Sequence, residues 1–134
     1  MPTDLNCHRA SVIAPYDGDT FRARIEVLTT LFHEGRLRLA RVNAPELSTP
    51  AGKVAAAFTA AWLGGTPMPI NLKLGFKLSA SSPYPLVVQV LGLDNYGRIL
   101  AEVWRTVDGR NLSDDLLSSG NAVVYALERQ LAAP

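Results

Sequence analysis

The sequence predicts a small β-barrel with helices attached, an α+β chain. Three observations carry that prediction. Apolar and polar residues alternate with a period of two in several separate runs, as half-buried strands require. Tight-turn signals, DGD, DNYG and VDGR, punctuate those runs. One Ala-rich segment repeats its apolar residues at helical spacing between strands that precede and follow it.

The stretch HRASVIAPY reads as the first strand, and the Asp17-Gly18-Asp19 turn makes a hairpin corner after it. TFRARIEV follows, with Phe21, Ala23, Ile25 and Val27 on one face. GRLRLARV, from Gly35 to Val42, is the next strand, with Leu37 and Leu39 inward and Arg36 and Arg38 outward. Pro45 in NAPE ends it, because proline has no N–H for the ladder. Thr49 and Pro50 suit the N-cap and first position of a helix over AGKVAAAFTAAWL. Val54, Ala57, Phe58, Ala61 and Trp62 form its expected apolar face, and Gly64-Gly65 its stop. INLKLGFKL reads as a strand, SASSPYP as a loop, LVVQVLGL as a strand, DNYG as a turn and RILAEVW as a strand. After VDGR, Ser113 is expected to cap a short helix, DDLLSS, ending at Gly120. NAVVY reads as extended, and ALERQL as the start of a last helix.

The 134 residues fit one domain, 1–134, and suffice for a real core. With 48% apolar and 19% charged residues the composition is that of an ordinary globular protein. A formal charge of only +1 excludes polyanion binding by bulk charge, so any phosphate recognition must be local. The single cysteine, Cys7, excludes an internal disulfide framework. Cys7 and His8 point to opposite faces of a strand and do not form a thiol–imidazole pair, and isolated His33 reads as a surface or turn residue. No stretch is long and apolar enough to span a bilayer, and no leader is visible. The expected location is the cytoplasm, or outside the cell if a leader has been removed, with no membrane association.

Four local features stand out: Asp17-Gly18-Asp19-Thr20, Arg38, Asn43-Ala44-Pro45-Glu46, and Asp94-Asn95-Tyr96-Gly97-Arg98. Singly, each has a bland reading: a hairpin turn, a solvated strand face, an exposed loop carboxylate, a turn with a helpful glycine. Together and in order, DGDTFRARI, LRLARVNAPE, AGKVAAAF, DNYGRILAEV and LSDDLLSSGNAVVY resemble the staphylococcal nuclease (thermonuclease) family. The resemblance runs from about Ser11 to Tyr125.

That resemblance implies a five-stranded OB-type β-barrel with one central helix and one or two short C-terminal helices. It implies a calcium-dependent phosphodiesterase, an endonuclease-like hydrolase acting on DNA or RNA with little sequence preference. Asp19 then corresponds to a metal ligand, Asn43 to the position of a second, and Ala44 to a backbone-carbonyl ligand, with Asp17 assisting through water. Arg38 and Arg98 correspond to the phosphate-binding and catalytic arginines, and Glu46 to the carboxylate that positions water. Tyr96 and Tyr125 are placed along the substrate, where aromatic faces stack on bases. The chemistry agrees: carboxylate, amide and carbonyl oxygens suit calcium or another hard divalent ion. Guanidinium forks suit the charge that builds on phosphate oxygens.

The chain departs from the family pattern in four ways. Asn43 replaces a usual aspartate and should weaken metal affinity. An extended strand and loop insertion is expected around residues 70–90. Little chain follows Tyr125, so the C-terminal end or the insertion offers a surface for a homo-oligomer. The low net charge argues for weaker nonspecific binding. The leading reading is a metal-dependent nuclease. The alternative is a catalytically inactive OB-fold nucleic-acid-binding module, and a protein-interaction scaffold is the third.

Overall fold

The structure, a computed structural model, describes residues 6–64 and 85–132. Among these, β1 (Cys7–Pro15), β2 (Thr20–Leu28), β3 (Leu31–Leu39), β5 (Leu86–Leu93) and β6 (Ile99–Arg105) close a barrel in the order β1-β2-β3-β6-β5. Every pairing is antiparallel except β3 with β6. Two short strands, β4 (Val42–Asn43) and β7 (Val123–Val124), pair separately. Three helices complete the described residues: α1 (Pro50–Trp62), α2 (Leu112–Ser118) and α3 (Leu127–Gln130). This is the five-stranded α+β barrel that the sequence predicts. Most of the expected insertion, including INLKLGFKL and SASSPY, lies outside the described residues, as does Gly65 of the expected helix stop.

The barrel interior follows from the period-two pattern. Phe21, Ala23 and Ile25 of β2, Leu37 and Leu39 of β3, Leu86 and Val88 of β5 and Ala101 and Val103 of β6 share one buried cluster. Fully burying one such large side chain is worth roughly 1.5–3 kcal/mol. The alternation fails at both ends. Val27, expected inside, is exposed, because a register irregularity between Glu26 and Leu28 carries the β2–β3 hairpin beyond the barrel. That hairpin also makes His33 a strand residue, still exposed, and starts β3 at Leu31 rather than Gly35. At the other end, Leu37, Arg38 and Leu39 are buried in succession. Arg38, expected to face solvent, is only 7% exposed. The strand then ends before Val42, because Arg41 takes φ +70° and turns the chain into β4. A non-glycine residue there is held by its surroundings rather than by preference.

Helix α1 begins as predicted: Thr49 is extended, its hydroxyl accepts from the Gly52 N–H, and Pro50 follows. Gly64, at φ +89°, follows the last turn. Its buried face differs from the expected one. Gly52, Ala55, Thr59, Ala60 and Trp62 are buried, Phe58 is half-buried, and Val54, Ala57 and Ala61 face solvent. The reason is close approach. The Thr59 hydroxyl donates to the Gly18 carbonyl at 2.7 Å, so the helix backbone lies directly on the acidic turn. A Cβ on Gly18 would stand 2.7 Å from the Ala44 Cβ and 2.9 Å from the Ala55 Cβ. Small residues rather than bulky ones therefore mark this interface. Gly18 is required by packing, not by the backbone bend expected of it, since its φ is not positive.

Helix α2 is capped by Asn111, whose side chain accepts from the Asp114 N–H, and not by Ser113. Ser113 lies one position inside the helix, buried, and its hydroxyl donates to the Ala40 carbonyl. Asn111 takes the cap because its backbone is extended, at φ −101° and ψ 129°.

Candidate functional site

Three segments converge at one end of the barrel: the β3–β4 corner, the turn from Asp94 to Arg98, and α3. They enclose a cleft of about 260 Å³ lined by Arg38, Asn43, Tyr96, Arg98, Tyr125 and Arg129, together with Asp94, Asn95 and Gln130. Five sequence-predicted site residues thus share one cleft: Arg38, Asn43, Tyr96, Arg98 and Tyr125.

The Asp94 carboxylate builds the turn that presents Arg98. It is buried, and one oxygen accepts from the backbone N–H groups of Tyr96 and Arg98, both at 2.9 Å. Its other oxygen accepts from Arg98 Nε at 2.6 Å. Burial alone would raise the Asp94 pKa, but these donors hold it below the ordinary carboxylate value. Gly97, at φ +76°, supplies the left-handed residue the turn needs. Arg98 is thereby fixed through Nε, while Nη1 reaches only the Thr20 hydroxyl at 3.5 Å. The Arg98 guanidinium also lies 5.2 Å from the centre of the Tyr96 ring, which is 75% exposed.

Arg38 is held from the opposite wall. Its Nη1 donates to the carbonyls of Leu39 and Val42, each at 2.9 Å, and its Nη2 to Asn43 Oδ1 at 3.2 Å. Asp19 Oδ2 stands 3.4 Å from Nη1. Burial lowers the Arg38 pKa, Asp19 opposes that, and Arg98 lowers it again. The group nevertheless stays a cation near neutrality, as guanidiniums do. Two like charges are thus held near each other, which an anion between them would relieve.

Asp19 lies behind Arg38. Its Oδ2 accepts from the Ala44 N–H at 2.8 Å, and its Oδ1 from the Thr20 hydroxyl at 3.2 Å. Asp17 Oδ1 accepts from the Asp19 N–H at 3.1 Å. Burial, and then repulsion from Asp19, push the Asp17 pKa up to about 6. Two carboxylates under mutual repulsion are a site that a cation would relieve, and the available oxygens of Asp17, Asp19 and Asn43 are hard donors of the kind calcium takes. Among the described residues, no group of three or more His, Cys, Asp or Glu gathers in the manner of a metal cluster. The Asn43 oxygen is neutral and already accepts from Arg38. Glu46 is exposed in the loop before α1 and does not line the cleft.

Sequence reasoning missed Asp94, Asn95, Arg129 and Gln130 as cleft residues. Asp94 and Asn95 were visible as turn formers. Nothing in ALERQL signals that α3 folds back against the barrel, because the contact depends on partners distant in sequence.

Residues 77–133 match the family model described as Staphylococcal nuclease homologue. That segment contains Tyr96, Arg98, Tyr125 and Arg129, whereas Asp19, Arg38, Asn43 and Glu46 lie before it. No curated protein matches the chain.

Proposed function

We propose that this chain, whose residues 77–133 match the staphylococcal nuclease homologue model, hydrolyses phosphodiester bonds of single-stranded nucleic acid with the help of a divalent cation. The observation that carries the reading is that Arg38 and Arg98 line one cleft with Tyr96 and Tyr125. In the reaction a water oxygen forms a bond to phosphorus, the bond to the departing sugar oxygen breaks, and that oxygen leaves with a proton taken from solvent. Negative charge accumulates on the non-bridging oxygens during this exchange. Arg38 and Arg98 donate to those oxygens, and because each is already held in place, little reorganisation is needed. Asp19 and Asn43, with the Ala44 carbonyl and a water on Asp17, would hold a calcium ion, which supplies further charge stabilisation. Glu46 does not line the cleft, and the role of orienting the water and accepting its proton falls to it on its place in the NAPE motif. Tyr96 and Tyr125 receive bases without sequence preference.

Digestion of single-stranded DNA in calcium, and then in chelator, tests the proposal. Cleavage in calcium that stops with chelator is expected. Intact DNA in calcium, magnesium and manganese would end the nuclease reading.

The exposed Glu46, absent from the cleft lining, and the uncharged Asn43 favour a second reading, an OB-fold module that binds nucleic acid without cutting it. That reading expects salt-sensitive binding indifferent to metal. It is excluded if cleavage is seen and is lost in both Arg98→Ala and Glu46→Gln.

A further inference from the structure

The cleft holds a third guanidinium that the proposed chemistry does not use. Arg129 lies on α3, a helix of four residues with no side-chain cap at Ala126. So short a helix has no stability of its own. It is tied down on both walls of the cleft. Gln130 is buried; its Oε1 accepts from the Arg41 N–H at 2.7 Å, and its Nε2 donates to the Leu39 carbonyl at 3.1 Å. On the other side Leu131 bridges to Asp94, and the Ala132 N–H donates to the Leu93 carbonyl at 2.8 Å. A Cβ on Gly92 would lie 2.9 Å from Leu131 Cδ2, so the β5 irregularity between Val90 and Gly92 makes room for this strap.

The strap therefore spans from the Arg38 wall to the Arg98 wall and carries Arg129 into the space between. Arg98 has Asp94 as its carboxylate and Arg38 has Asp19. Among the described residues the Arg129 side chain has neither an ion pair nor a hydrogen bond. Asp94 is the one carboxylate among the described lining residues, and Arg98 already engages it. With Arg38 beside Asp19 and Arg98 beside Asp94, the guanidinium left without a carboxylate in the cleft is that of Arg129.

We infer that Arg129 is a positioning residue that binds a second phosphate of a single nucleic-acid strand, adjacent to the phosphate held by Arg38 and Arg98. This deepens the proposed nuclease reading and rests on it for the identity of the first phosphate. Two guanidinium forks already match the oxygens of one phosphate, so a third requires a polyanion rather than a lone phosphate group. Tyr96 and Tyr125 on the same lining point to unpaired bases, and hence to one strand.

The experiment compares wild type, Arg129→Ala and Arg129→Lys on two substrates: a single-stranded DNA oligonucleotide and a dinucleoside monophosphate, which has one diester and no neighbouring phosphate. Arg129→Ala is expected to raise KM for the oligonucleotide roughly tenfold, the effect of losing one charged hydrogen bond, with kcat nearly unchanged. Its kcat/KM on the dinucleoside monophosphate should equal that of wild type, and Arg129→Lys should recover most of the oligonucleotide loss. An equal loss on both substrates would place Arg129 on the scissile phosphate and overturn the inference, as would no loss on either. The binding arm uses fluorescence anisotropy of the same oligonucleotide across salt concentrations and does not depend on cleavage. Arg129→Ala should reduce the slope of log K against log salt by about 0.7, and an unchanged slope overturns the inference even if wild type cuts nothing. Absence of cleavage with the reduced slope would refute the nuclease reading alone.

Discussion

Arg38 and Arg41 stand three residues apart on either side of the same strand end, yet the molecule treats them in opposite ways. Arg41 meets carboxylates: Glu102 through Nε and Nη2, and Asp114 through Nη2 at 3.0 Å. Hydrogen bonding to Glu102, followed in weight by burial that opposes it and by Asp114, leaves its pKa raised. Arg38 instead donates chiefly to neutral oxygens, and burial lowers its pKa. Arg41 joins β6, α2 and, through its backbone, α3 and Tyr125. Its partners satisfy it, so it clamps the fold. Arg38 shares its cleft with Arg98 and has a single ion-pair partner among the described residues, Asp19 at 3.4 Å, so it can take a further anion from outside. The contrast teaches that the charge around an arginine, rather than its burial alone, separates a structural guanidinium from one available to a ligand.

The largest test of that contrast is Arg98→Ala. Loss of one preorganised donor is expected to lower kcat by about 10²–10³ for single-stranded DNA, measured at saturating substrate. A fall of less than tenfold would mean that the cleft arginines do not face the reacting phosphate. Arg41→Ala should act on the other side of the comparison. It is expected to cost about 2 kcal/mol in chemical denaturation, because nearly buried Glu102 loses its partner. Solvent at the Arg41 end keeps the loss modest. Its kcat should change little; a large fall in kcat with unchanged stability would reverse the assignment of roles.

A smaller effect comes from Asp17. Its pKa moves from 3.8 to about 6 on folding, through burial first and then the charge of Asp19. Between those values the folded protein holds a proton that the unfolded chain has released. Stability in chelator should therefore fall as pH rises through this window, and then level off as far as Asp17 is concerned. Asp17→Asn should abolish that component of the slope in urea denaturation curves. An unchanged slope would show that burial and the charge of Asp19 do not raise the Asp17 pKa as described.

Much of the barrel was legible because β2 and the start of β5 bury alternate residues, and a period of two records that directly, whereas β6 is buried without alternation from Leu100 to Val103. The buried face of α1 was not, because Gly52, Ala55 and Thr59 sit inside by virtue of closeness to the Gly18 and Glu46 backbones, and small residues leave no hydrophobic signature. Arg38 and Arg98 could be picked out by their motifs, and the cleft brings them together. Arg129 and Gln130 could not, since α3 gains its place only from the Arg41, Leu39 and Leu93 backbones. Ser113 was misread as a cap because Asn111, two residues earlier, has the extended backbone that capping requires.

Calorimetric titration of calcium, with and without a nucleoside bisphosphate, bears most directly on the claim that an ion beside Asp19 and the two cleft arginines grip one phosphate between them. Calcium binding that is weak alone and tightens severalfold with the nucleotide present is the expected result. Heat of calcium binding that is absent in both titrations, or identical in both, would contradict it.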